Sequence, residues 1–312
     1  MIRFSVGGFY GHYRPLVTLL LLREEHPEWF REGVMVDSTF DSWPNVPWNG
    51  GRIRFDNPYP IREMEKNIRF FNGRGIGIRF TYTNLLLGPE HLGDVLGNRT
   101  LELANDPLNA VIVASPVLEA YVRERYPKFK IIGSCTTDLR NPAALAARAQ
   151  ELDLIVLPPD LNHHPSLVEQ LGPARVEILV NERCKACCGD RKLHYHNISR
   201  AVLDQELAAQ RDPTLTLPQA CVFRVGTPAW RQREGAAVKY PLYLSFPEIE
   251  ALHRRGVEHF KLAGRDVAFP VLLADFARFL VQEEHQAEFS FAFLELLHDG
   301  RAFRWASGAA AA

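Results

Sequence analysis

Short apolar runs rich in β-branched and aromatic residues alternate with longer stretches of helical periodicity almost from end to end of the 312-residue chain. Eight runs predict strands: Ile2 to Val6, Gly33 to Val36, Gly77 to Tyr82, Ala110 to Val113, Lys130 to Gly133, Leu154 to Leu157, Val176 to Val180 and Phe260 to Leu262. Helical stretches fall between them at Pro15 to Phe30, Ile61 to Phe71, Pro89 to Ala104, Val117 to Tyr126, Pro142 to Leu152 and Pro165 to Leu171. Several open on a proline, whose fixed φ and missing N–H suit the first turn of a helix.

Strands joined by crossover helices at intervals of roughly 20 to 40 residues predict an α/β, (β/α)8 TIM-barrel-like fold. An open doubly wound sheet is the alternative. The connection from Val180 to Phe260 is longer than one helix needs. It holds helical stretches near Asn197 to Gln210 and Phe246 to Arg255, a proline-rich segment from Asp212 to Pro218, and Cys221. The expected organisation is one barrel domain over 1–305, with 181–258 as an elaborated cysteine-bearing excursion, and a flexible tail over 306–312.

Composition narrows the class only slightly. A formal net charge of −1 with 23% charged residues carries no overall basic field for nucleic acid or an anionic membrane. The longest apolar stretch, Leu16 to Leu22, is far too short to span a bilayer, and the run that begins at Ile2 is too short for a signal peptide. Five cysteines without such a signal fit a reducing, cytoplasmic setting.

Chemistry concentrates where a barrel would place it, after the strands. Asp37, Ser38 and Thr39 follow the second run, Thr83 and Asn84 the third, Ser115 the fourth, and Ser134 to Thr137, including Cys135, the fifth. Asp160, Asn162, His163 and His164 follow the sixth, Asn181, Glu182 and Cys184 the seventh, and Gly264, Arg265 and Asp266 the eighth. The densest cluster is Cys184-Lys185-Ala186-Cys187-Cys188. Cys184 and Cys188, with Cys221 returning from the excursion and Cys187 or Cys135 completing the set, are candidate metal ligands. Thiolates in this number suit a 4Fe–4S cluster or zinc, and spacing alone does not separate them. Their bland reading is three partly buried thiols. His163 is the candidate proton carrier, because imidazole titrates near neutrality, against a default of a solvated loop histidine. Trp48-Asn49-Gly50-Gly51-Arg52 sets two glycines beside a guanidinium, a pattern that cradles anions and equally makes a tight turn. Arg52, Arg79 and Asn84 are candidate substrate-binding residues and Arg265 a candidate catalytic one, each weighed against an ordinary salt-bridge or packing role.

Taken together, Val180-Asn181-Glu182-Arg183-Cys184, Cys188 through Tyr195, Cys221 and Phe260-Lys261-Leu262-Ala263-Gly264-Arg265 resemble signatures of the U32 (collagenase-like) peptidase family, in a divergent branch. Trp48 to Arg52, Asn72 to Phe80 and Leu161-Asn162-His163 extend the resemblance over most of residues 1–266. It implies a barrel with an iron–sulfur cluster held by Cys184, Cys188 and Cys221, and oxygen-independent hydroxylation of a small molecule or an RNA base. A metal-dependent hydrolase of peptidase type, and a non-enzymatic assembly factor with a protein partner and a structural metal, are the rival expectations. No membrane partner is expected.

Overall fold

The computed structural model describes residues 1–50, 61–204, 216–219, 221, 242–265 and 267–306. Arg52, Asp266 and the tail after Ala306 lie outside the described residues, as does much of the excursion.

Eight parallel strands close into a barrel: β1 (Ile2–Gly7), β2 (Val34–Asp41), β3 (Gly77–Tyr82), β4 (Ala110–Val113), β5 (Lys130–Gly133), β6 (Leu154–Val156), β7 (Val176–Leu179) and, after two short strands, β10 (His259–Leu262). β8 (Asn181–Glu182) and β9 (Leu242–Tyr243) form a separate antiparallel ribbon. Each strand pairs with its predecessor, β10 pairs with β7, and β1 pairs with both β2 and β10, which closes the ring. The fold is therefore the predicted (β/α)8 type.

Side-chain alternation explains why these runs are strands buried on both faces. On β4, Val111 and Val113 face the helical layer while Ala110 and Ile112 join Phe40, Ile132, Leu154 and Val156 in a separate lumenal cluster. On β1, Phe4 and Val6 pack outward, so Ser5 points inward and is fully buried. The lumen-facing residues of β4, β5 and β6 are thus apolar, whereas β1, β3, β7 and β10 contribute the buried Ser5, Arg79, Glu177 and Lys261.

Among the boundaries that differ from the sequence expectation, two bear on the site. β2 runs on to Asp41 and includes Asp37, Ser38 and Thr39, because a bulge between Phe4 and Ser5 shifts the register and the lumen supplies partners for polar residues. The helix after the cysteine cluster spans Arg191–Leu203, earlier than Asn197 to Gln210. Beyond β10, helices at Phe269–Leu280, Gln286–Asp299 and Arg301–Ala306 complete the described chain. Among the described residues no helix is long and apolar enough to cross a membrane.

Candidate functional site

β3 and β7 stand on opposite sides of the closed ring, so any contact between their side chains crosses the lumen. Arg79 of β3 makes that crossing. Its Nη1 donates to Glu177 Oε1, and its Nη2 lies 3.7 Å from Asp37 Oδ1. Glu177 is fully buried, and its second oxygen accepts no hydrogen bond. Lys261 of β10 approaches that oxygen at 4.0 Å, while the same ammonium lies 3.9 Å over the ring of Phe40. His259 of β10 stands 3.9 Å from Asp37.

Burial and neighbours set the charge states. Burial pushes the Glu177 carboxyl up, but Arg79, Lys261 and His259 outweigh it and hold the group below the usual carboxylate range. Burial pushes the Lys261 ammonium down to about 8. Glu177 and Cys135 oppose that shift, and Arg79 and Arg265 add to it. Burial also lowers His259, against Glu177 and Asp37, so its imidazole is neutral near pH 7. The outcome is a buried amine that exchanges its proton near neutral pH beside a carboxylate that does not. Because Cys135 opens the turn after β5, Lys261 lies toward the end of the barrel where the strands' carboxyl termini lie.

Arg265, by contrast, is a staple of the rim. It donates to Ser42 Oγ at 2.7 Å, to Thr81 Oγ1, and to Gly50 O at 2.8 Å, and lies 3.9 Å from Asp41. Asp41 in turn accepts from the backbone N–H groups of Tyr10, Gly11 and Ser42, which fixes the loop after β1. Gly50 is required here because a Cβ would lie 2.4 Å from the Thr83 backbone. Asn49 donates to Trp43 O. The described part of the Trp48 to Arg52 motif is therefore a packed turn that receives Arg265. Asn84 is likewise occupied: it donates to Pro47 O and Ser199 O and accepts from Leu86 N. Arg79 belongs to the lumen and not to the rim. His163 has a half-exposed side chain whose charged neighbour is Glu248, at 3.9 Å.

The cysteine segment is organised by a salt bridge. Asp160, after β6, accepts from Arg191 Nη1 at 2.7 Å and from the Cys187 backbone N–H at 2.8 Å, and pairs with Arg140 at 3.1 Å. Arg191 also donates to Lys185 O, and the Cys184 N–H donates to Glu182. Cys187 adopts a left-handed φ of 50° and is exposed. Cys135, Cys184, Cys188 and Cys221 are half-buried. Among the described residues no three His, Cys, Asp or Glu side chains stand together as a metal-ligand group. The cysteines expected from the spacing to share a metal do not form such a group there. Asp160→Ala removes the contacts of both Arg191 and the Cys187 N–H in this segment at once. Trypsin is then expected to cut after exposed Lys185 about tenfold faster or more, since losing such charge-assisted bonds lowers the cost of local opening; an unchanged cleavage rate in timed digests would contradict this role.

A second buried network secures the β8–β9 ribbon. Asn181 exchanges hydrogen bonds with Ala263 N and O and donates to Asp275, which also accepts from Arg183 and from Tyr243. The ribbon is thereby held to the end of β10.

Lys261 and Glu177 were not among the residues singled out from the sequence. The available signal was a charge in the middle of an otherwise apolar strand, in Val176-Glu177-Ile178-Leu179 and Phe260-Lys261-Leu262. A strand buried on both faces tolerates such residues only as a pair.

No family model matches the chain, and no curated protein matches it. Among solved structures, one described as the U32 peptidase Mk0906 superposes with a TM-score of 0.51 at 17% identity, over 85% of this chain and 93% of that one. At that identity the likeness is one of fold.

Proposed function

We propose, from a barrel fold shared with a U32 peptidase, that the protein is an enzyme performing proton transfer at Lys261 on a small substrate admitted to the barrel lumen. The observation that carries this reading is the Lys261–Glu177 pair inside the closed ring. The interior of a (β/α)8 barrel is filled by side chains, so the substrate reaches Lys261 from the carboxyl-terminal mouth toward which that residue lies. An amine that titrates near working pH is suited to general acid–base work, because it both releases and recovers a proton readily. Glu177, held ionised by Arg79, keeps the ammonium form within reach. Arg265, Asp41 and Gly50 support the reading by bracing the rim above it. The hydroxylation reading depends on cysteine ligands that form no metal-ligand group among the described residues.

Competitive acetylation of the full chain tests the proposal. As pH rises, the rate at Lys261 is expected to reach half its plateau near 8, about two pH units below an ordinary lysine. The groups facing the amine are Glu177 from β7, Arg79 from β3, Phe40 from β2, and Cys135 and Arg265 from the loops after β5 and β10. A Lys261 midpoint above about 10, that of an ordinary lysine, removes the basis for the proposal.

A further inference from the structure

We propose that Lys261 forms an imine with an uncharged carbonyl compound, an aldehyde or a ketone, inside the lumen. The inference rests on the proton-transfer reading of the same amine and goes beyond it by assigning a covalent step and a substrate class.

Three features of the lumen converge on this chemistry. The first is that the Lys261 ammonium meets Glu177 at 4.0 Å and the Phe40 ring at 3.9 Å, and makes no hydrogen bond to a described residue that would hold its donors away from a ligand. About a tenth of its side-chain surface remains open. The second is the apolar wall of Phe40, Ile112, Ile132 and Val156, which favours the neutral, nucleophilic amine and the loss of water from an adduct. The third is charge balance. Arg79 and Lys261 oppose Asp37 and Glu177, and His259 is neutral, so the lumen has no surplus cation for a carboxylate or phosphate on the ligand. An iminium leaves that balance unchanged, since it carries the same single charge as the ammonium it replaces.

The step balances without a redox partner. The ammonium gives one proton to solvent water, and the freed lone pair attacks the carbonyl carbon as the carbonyl π electrons move to oxygen. That oxygen takes a second proton from nitrogen to give a carbinolamine. Solvent water then returns the first proton to the hydroxyl, the C–O bond breaks and the oxygen leaves as water. Nitrogen keeps one hydrogen and the positive charge, and Glu177 stays ionised beside it throughout.

The experiment is reductive trapping on the full chain at pH 7.5, with glycolaldehyde as the uncharged probe, glyoxylate as the charged one, and cyanoborohydride as reductant, followed by peptide mass mapping. The expected result is at least about tenfold more label on Lys261 than on exposed Lys128 with glycolaldehyde, because a lysine titrating near 8 carries roughly a hundredfold more free amine than an ordinary one. The Lys261-to-Lys128 ratio should fall severalfold with glyoxylate. Lys261→Arg should abolish the lumenal label and leave that on Lys128 unchanged. Equal labelling of the two lysines by glycolaldehyde overturns the imine, and a ratio preserved with glyoxylate overturns the uncharged class. If acetylation still reports a Lys261 midpoint near 8 when trapping fails, only the imine falls. A midpoint above about 10 takes the proton-transfer reading with it.

Discussion

Glu177→Gln is expected to lower the unfolding free energy by about 3 to 5 kcal/mol, because it leaves two buried cations facing a neutral amide. Arg79 retains Asp37 at 3.7 Å, but Lys261 loses its nearest carboxylate. The same variant should move the Lys261 midpoint lower still, since Glu177 is the main influence opposing the burial that depresses it. Urea titration at pH 7 measures the first effect and competitive acetylation the second. Adding Lys261→Met should recover at least about half of the lost stability, as removing both members of a buried pair costs far less than removing one. A loss below about 1 kcal/mol for the single variant would mean that the lumen rehydrates freely, and the closed electrostatic picture would have to be abandoned.

The second large effect is expected at the ribbon. Burial pushes the Asp275 carboxyl up, against Arg183, Asn181 and Tyr243, which hold it in place. Arg183 is itself almost wholly buried, and two of its nitrogens find no hydrogen-bond partner. Asp275→Ala therefore strands a buried guanidinium and should again cost about 3 to 5 kcal/mol in urea titration. The paired change Arg183→Leu with Asp275→Leu should restore most of it. If the single substitution is neutral while the pair destabilises, apolar packing and not the ion pair secures the ribbon.

The architecture was legible because each strand is an apolar run and each crossover helix has its own periodicity, so β3, β4 and β5 coincide with their predicted spans. The site was less legible, for physical reasons visible at single residues. Asp37 follows an apolar run and looks like a loop residue, yet β2 continues through it because Arg79 and His259 wait on the lumenal side. Arg265 has the composition of a ligand-binding arginine, but Ser42, Thr81 and Gly50 occupy its donors. The cysteines are neighbours in sequence, yet Cys187 turns through a left-handed conformation and its N–H is engaged by Asp160. Spacing reports which thiols are near in chain and not which sulfurs converge. Lys261 and Glu177 meet only because β10 pairs with β7, a contact between segments far apart in the chain.

The pairing of β1 with β10 has a consequence for biosynthesis. Arg3 must wait for His259 before the ring can close, so a chain emerging from the ribosome carries an open, twisted sheet with β1 exposed along one edge through most of its synthesis. An unpaired edge of this kind is a template for strand addition by another chain. The entropic penalty of joining such distant segments grows only logarithmically with their separation, so closure is thermodynamically inexpensive once β10 has been made. The vulnerable interval is thus one of time, and it ends when the last staves of the barrel arrive.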